Sequence, residues 1–425
     1  MTTITTDTAS MSDTYRSLRE TTQHLAAPLS CEDCQAQATA CASPTKWHLA
    51  HTTWFFETFV LRPFMAGYTP WHEQFSYLFN SYYNSIGQRI ERPKRGLMTR
   101  PTLDEVKGYR THVDENVQAL LSSSSDQMLR DQVNPRLELG LHHEQQHQEL
   151  ILTDLKLLFW HNPLLPRYRD GGVAQGESAA AIRWNQMESG LTRIGHDDAD
   201  AFAYDNEMPA HQRYLDSFRI ASRPVTCGEF VQFIDDGGYE RSDQWLSDGW
   251  ETVEREQWTA PLYWHRSNGD WQIFTLSGPR PLSHGEPVCH VSYFEADAYA
   301  RWAGTRLPRE DEWESAAGSC SVKGNLLESQ RYHPRAAPVD ADGQSPDAMF
   351  GDVWEWTQSQ YTAYPGYRAP DGALGEYNGK FMCNQFVLRG GSCATPASHI
   401  RKTYRNFFPP DARWQFTGIR LAQDA

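Results

Sequence analysis

"NPRLELGLHHEQQHQELILTDLKLLFWHNP", residues 134–163, reads as one long helix. Asn134-Pro135 opens it and Asn162-Pro163 closes it, because proline is tolerated in a first turn and cannot continue a helix. Inside lies His143-Glu144-Gln145-Gln146-His147, literally the HExxH pattern of a zinc protease. Four residues apart on a helix, the two imidazoles share a face. That face continues through Leu150, Ile151 and Asp154, which makes it the buried side. Two imidazoles turned into a core are costly unless they pair or ligate. The pattern alone leaves metal binding and a bland pairing evenly matched.

A protease of this type needs a third ligand. The extended HExxHxxGxxH form is absent, since Leu150 and Thr153 occupy the Gly and His positions. The other protease form uses a downstream helical Glu. After Glu149 the next is Glu177, in a stretch of linker composition. A third imidazole does lie upstream, in "SPTKWHLAHTTWFFETFVL" (43–61). Here Ser43 is the expected N-cap and Pro44 the first helical residue. Trp47, Ala50, Trp54, Phe55, Thr58 and Phe59 form a stripe of helical period, and His51 lies within it. His48 falls nearer the stripe's edge and is expected to support a ligand or face solvent rather than ligate. His142 is about 100° round the helix from His143, so an exposed or structural place is expected for it. Three neutral imidazoles from two helices leave coordination positions open, suiting Zn or Fe(II).

These helices have company. "TLDEVKGYRTHVDENVQALLSS" (102–123) carries Val106, Tyr109, Val113, Val117 and Leu120 on one side, and a further helix is expected over 12–26. Four helices suffice for an up-down bundle. Beyond residue 185 the texture changes to short strand-like runs between Gly, Pro, Asn and Asp turns: "GLTRIGHDD", "RYLDSFRIASRPVT", "EPVCHVSYFEA", "VLRGGSC" and "FTGIRLA". "YFEADAYARWAGTRLPREDEWESAA" interrupts them with one or two helices. The expected organisation is a helical domain over 12–165, a linker over 166–184 and an irregular α+β domain over 185–425.

Length and composition agree with two globular domains, with 425 residues, 39% hydrophobic and 22% charged. A net charge of −15 argues against a nucleic-acid partner and for small-molecule partners. The first twenty residues lack the basic and apolar regions of a secretory signal, and no run approaches a membrane span, so a cytoplasmic protein without a membrane partner is expected. The eight cysteines are accordingly expected as reduced thiols. Cys31, Cys34 and Cys41 cluster in "CEDCQAQATAC", but one CxxC without a second is a weak metal signal.

"WHLAHTTWFFETF", "YLFNSYYNSIGQRIERPKRGLMTRPT" and "HHEQQHQELILTDLK" resemble the DinB-like bundle of the ergothioneine-biosynthesis sulfoxide synthases (EgtB). "RPVTCGEFVQFIDDGGY", "WAGTRLPREDEWESAA", "GDVWEWT" and "LRGGSC" resemble the formylglycine-generating-enzyme fold, C-type-lectin-like, that follows the bundle in that family. The resemblance spans nearly the whole chain in the family's domain order. It implies an α+β protein with an N-terminal DinB-like four-helix bundle and a C-terminal irregular α+β domain. It further implies a non-haem Fe(II) held by His51, His143 and His147, and O2-dependent coupling of hercynine to a thiol, with hercynyl-cysteine sulfoxide as product.

The resemblance also carries residues. Tyr82 and Tyr83 match a YY pair that supplies a proton near the metal, although aromatic core filling would account for them in isolation. Arg92 and Arg95 match a pair that grips the thiol substrate's carboxylate, a task suited to a guanidinium fork; a solvated basic turn is the competing account. Asn406, Phe407 and Phe408 stand where members using γ-glutamylcysteine tend to carry Asn-Trp-Asp. The missing Asp favours free cysteine. Trp414 is a candidate wall for hercynine's trimethylammonium group.

Several alternatives stay open. A selenosugar in place of the thiol would make a selenoneine synthase. Coupling at the other imidazole carbon would make a 5-histidylcysteine sulfoxide synthase, although those enzymes usually carry an appended methyltransferase domain for which no room is expected here. A non-catalytic metal-binding module is the alternative of another class. Formylglycine generation itself is not expected, because Cys393 in "RGGSC" is followed by no second cysteine.

Overall fold

A computed structural model describes residues 8–170, 179–197, 201–337 and 345–425. Residues 171–178 of the expected linker, and the first seven residues read for a signal, lie outside the described residues. The chain divides into two compact units, Met1–Leu164 with Gly372–Tyr377, and Leu165–Asp371 with Asn378–Ala425. No helix among the described residues is long and apolar enough to cross a membrane.

The first unit is built on four helices: α1 (Thr8–Ala26), α2 (Thr45–Phe56), α3 (Leu103–Ser123) and α4 (Asn134–Trp160). A capping box starts α3, with Glu105 N donating to Thr102 Oγ1 and the Glu105 carboxylate accepting from Thr102 N. The expected face of α3 (Val106, Tyr109, Val113, Val117, Leu120) is buried throughout. Two expectations for α2 need correction. Pro44, not Ser43, is its N-cap, and it makes no side-chain cap bond. Ser43 instead donates its backbone N–H to Asp154 Oδ2 at 2.8 Å and accepts at its hydroxyl from Arg95. Nor does α2 carry a single buried stripe, since every residue from Thr45 to Phe56 is buried. It is the bundle's central helix, so its polar side chains face neighbours rather than water.

Two of those polar side chains, Thr52 and Thr53, bond to a charged layer that ties the four helices together. Arg19 on α1 donates to Asp114 on α3 (2.7 Å), Glu144 on α4 (2.7 Å) and Thr53 on α2 (2.9 Å). Arg110 on α3 donates to the other Glu144 oxygen at 3.0 Å and to Leu49 O at 2.9 Å. Nearby, α2 and α4 approach so closely that a Cβ on Gly140 would sit 2.5 Å from the Phe56 ring. The close crossing sets the depth of α4 against α2.

The second unit holds several small sheets. β1 (Trp184–Met187), β4 (Phe218–Ala221) and β12 (Ala422–Asp424) form one, with β4 central. β2 (Gly190–Ile194) and β3 (His211–Leu215) pair as a hairpin, and β5 (Trp264–Ser267), β6 (Asp270–Thr275) and β7 (Gly278–Pro281) form a meander. The fourth has the order β10–β9–β8–β11, from Asn406–Phe408, Phe386–Arg389, Trp354–Gln360 and Thr417–Gly418. Buried ion pairs hold its loops: Arg420 grips Glu355 through two bonds (2.8 and 2.7 Å) and Arg405 grips Glu310 likewise (2.8 and 2.9 Å). The strand expected in "EPVCHVSYFEA" is a correction: only an isolated bridge, Thr226 to Pro287, forms there. Pro287 offers no N–H, and His290 takes a positive φ of 66°, which breaks an extended run. Helices α5 (Cys227–Asp235) and α6 (Ser247–Glu256) were unread, though the Thr226…Glu229 capping box announces the first. The expected helical stretch resolves into α7 (Tyr293–Trp302) and α8 (Glu310–Ala317).

Candidate metal centre

His143 and His147 project from one face of α4, and His51 meets them from α2. The Nε2 atoms of His51 and His143 are 3.2 Å apart, and those of His147 and His143 are 3.1 Å apart. Among the described residues these three form the one group of His, Cys, Asp or Glu placed to hold a metal ion. Each ring is fixed from behind. His51 Nδ1 donates to Phe79 O at 2.5 Å, and its ring stacks near-parallel on Trp47 and on Trp54. His143 packs against Phe55. His147 Nδ1 lies 2.8 Å from Nδ1 of His48.

Burial holds these imidazoles neutral. It pushes His143 down to about 3, against the opposing pull of Glu144, and pushes His51 and His147 well below the ordinary range, with His143 adding to both. With Nδ1 of His51 and of His147 engaged, these neutral rings turn their Nε2 atoms towards that of His143, an arrangement that a cation relieves. Imidazole–metal bonds of about 2.0–2.1 Å separate neighbouring nitrogens by about 2.9 Å at a right angle and about 3.3 Å at a tetrahedral one. The observed 3.1–3.2 Å spacings fit that range. A resident metal therefore suits these residues.

Glu144 takes no part in this convergence. Burial alone would raise its carboxyl, but Arg19 and Arg110 outweigh that and hold it at about 2. Locked between two guanidiniums, it is unsuited to the proton uptake of a protease base. The chain's two halves match two families: residues 14–151 match the DinB superfamily, and residues 185–425 match the sulfatase-modifying factor enzyme 1-like domain. Hercynine oxygenase of Mycobacterium tuberculosis is 34% identical over 90% of this chain and 91% of its own. That of Mycolicibacterium smegmatis is 32% identical over the same shares. Ergothioneine biosynthesis protein 1 of Schizosaccharomyces pombe is 28% identical over 54% of this chain and 29% of its own.

The chain belongs to the hercynine oxygenase family. It is an oxidoreductase of the sulfoxide synthase type, with an EgtB-type role in ergothioneine biosynthesis. In this hercynine oxygenase homologue the tyrosine pair packs on aromatic residues that also contact the imidazoles. Tyr83 is fully buried against Trp54, Phe55 and Phe59, and its hydroxyl is 3.5 Å from that of half-buried Tyr82. Asn80 shapes their loop, accepting from Tyr83 N and donating to Tyr83 O.

A third tyrosine escaped sequence reasoning. Tyr377 directs its ring edge at His143 (centroids 5.7 Å apart), packs on Tyr82 and donates its hydroxyl to Gln146. Its neighbour Glu376 accepts from the backbone N–H groups of Asn84 and Ser85, both at 2.8 Å. No local pattern around residue 377 signals this, because the partners lie far away in sequence.

The two arginines differ. Arg95 is buried, lies 3.4 Å over the Trp47 ring and donates only to the hydroxyls of Ser43 (2.9 Å) and Ser81 (3.1 Å). Among the described residues its Nε has no hydrogen-bond partner and no carboxylate forms an ion pair with it, the Asp154 charge acting on it from farther off. Burial, reinforced by Arg92, disfavours its charge. Arg92 is exposed and makes one long bond, to Cys41 O at 3.4 Å. Asn406, Phe407, Phe408 and Trp414 belong to the second unit. Phe407 stacks on Tyr361 (4.0 Å), Phe408 meets Trp414 edge-on (5.8 Å), and Asn406 Oδ1 accepts from Phe407 N. All eight cysteines are free thiols, and Cys31, Cys34 and Cys41 do not assemble into a metal-holding group.

Proposed function

We propose that this chain joins the imidazole carbon of hercynine to a thiol, with cysteine the favoured partner, using Fe(II) and O2. One oxygen atom ends on sulfur as the sulfoxide, and the other leaves as water with the hydrogens of the C–H and S–H bonds. The convergence of three neutral Nε2 atoms carries this reading. His51, His143 and His147 would hold the iron, whose part is to gather thiolate, imidazole and O2 at one centre. Three uncharged ligands leave the metal its full charge, which favours a thiolate.

The rest falls to the chain's own side chains. Arg95, a buried guanidinium whose hydrogen bonds among the described residues go to the hydroxyls of Ser43 and Ser81, suits the carboxylate of the thiol substrate, with Arg92 as its outer companion. A neutral phenol supplies a proton, and Tyr82, Tyr83 and Tyr377 are the candidates. Asn406, Phe407, Phe408 and Trp414 are assigned to substrate binding on the family likeness, Phe408 and Trp414 offering the aromatic faces that a trimethylammonium group takes.

The test is anaerobic loading of the full chain with Fe(II), then O2 with hercynine and, separately, cysteine, γ-glutamylcysteine and a selenosugar, read by mass spectrometry. Hercynyl-cysteine sulfoxide from cysteine, lost in His51→Ala, is the expected outcome. Product from the selenosugar alone would replace the thiol with selenium chemistry. No product from any donor would overturn the reading in favour of a binding module.

A further inference from the structure

His48 is buried and uses both ring nitrogens away from the converging Nε2 atoms. Its Nδ1 lies 2.8 Å from His147 Nδ1, and its Nε2 lies 3.1 Å from Asp154 Oδ2. The same carboxylate oxygen accepts from Ser43 N at 2.8 Å. His48 is thus not a competing ligand; it stands between a buried carboxylate and one of the three converging rings.

The direction of these bonds follows from the carboxylate. An ionised carboxylate only accepts, so His48 carries its proton on Nε2 and donates it to Asp154. That leaves His48 Nδ1 with a lone pair, which accepts from His147. His147 must then carry its proton on Nδ1, which clears its Nε2. We propose that Asp154 and His48 are positioning residues that set the tautomer of His147 and so hold its Nε2 open to a metal. This rests on the metal-centre reading above. The interposed ring also keeps the Asp154 carboxylate one imidazole further from the metal than a direct carboxylate partner would.

Removing the first bond frees the chain. In Asp154→Ala nothing at that position accepts from His48 Nε2, so the His48 proton can move to Nδ1 and push the His147 proton onto the nitrogen that should ligate. His48→Asn, in contrast, places an amide oxygen near the old Nδ1 position, where it accepts from His147 without help from Asp154.

The experiment is Co(II) binding to the full chain, measured by chelator competition and by the visible ligand-field bands, alongside thermal melts. Outer partners of metal-bound histidines are worth about 10–100-fold in affinity, and losses of that size are expected for Asp154→Ala and His48→Phe. His48→Asn is expected to stay within a few-fold of the unaltered chain, and adding Asp154→Ala to it is expected to change little. Unaltered affinity and bands in His48→Phe would overturn the proposal. So would an Asp154→Ala loss of equal size in both backgrounds, which would mark Asp154 as merely an anchor for Ser43. If the unaltered chain and His51→Ala bind Co(II) equally weakly, the metal-centre reading itself falls. Tight binding abolished by His51→Ala but indifferent to His48 would sink this inference alone.

Discussion

Arg19 and Glu144 meet at 2.7 Å within the bundle, both almost wholly removed from water. The second residue of an HExxH sequence is thereby spent on architecture, because Arg110 takes its other oxygen at 3.0 Å. The layer fixes the rotation of α4 and, with it, the direction in which His143 and His147 point.

Removing Glu144 takes from Arg110 its carboxylate partner and leaves Arg19 paired with Asp114. Glu144→Ala is expected to cost about 3–5 kcal/mol, as breaking a buried ion pair does, measured by chemical denaturation. Because its folded-state value lies below the ordinary 4.5, at about 2, its stabilisation is complete above 4.5 and drains away as pH falls from there through 2. Unchanged stability in the alanine variant would show the layer to be dispensable.

Gly140 should resist a substitution that helices ordinarily welcome. Alanine favours an exposed helix by about 1 kcal/mol over glycine. Here the added Cβ would meet the Phe56 ring at 2.5 Å, and that ring is itself held edge-on by Tyr15. Gly140→Ala is expected to lose about 1–3 kcal/mol through overpacking, with part recovered in Gly140→Ala/Phe56→Leu. A higher melting temperature for the single variant would refute the close crossing.

The three tyrosines can be separated by product analysis. Loss of a proton donor typically costs about 10²–10⁴-fold in rate. Its hydroxyl bond to Gln146 and its edge contact with His143 single out Tyr377. Tyr377→Phe is expected to lose sulfoxide formation by at least about 10²-fold, with thiol oxidation persisting, while fully buried Tyr83→Phe mainly lowers stability. The reverse ranking would return the proton to the YY pair.

Cysteine reactivity should follow burial. The Cys34 thiol is pushed up to about 12 by burial, with Asp33 adding to the effect, whereas Cys31 and Cys383 are exposed. Iodoacetamide at pH 8 is expected to alkylate Cys31 and Cys383 and spare Cys34 until the chain is denatured, as peptide mass spectrometry would report. Rapid native labelling of Cys34 would contradict its placement.

What the linear chain determined by itself was whatever depends on near neighbours. The 3.6-residue period puts His143 and His147 on one face, the prolines at 135 and 163 bound their helix, and the capping boxes at Thr102 and Thr226 start two more. Both halves of the architecture were legible in this way, helical first and strand-and-turn after. The tertiary structure decided the rest. A helix buried on every side cannot be told by periodicity from one buried on a single stripe, so α2 was misread. The bond of His48 to His147, the arrival of Tyr377 at His143 and the stranded charge of Arg95 join residues remote in sequence. Such contacts are set by how helices cross and where loops return, and no local pattern of residue types encodes that.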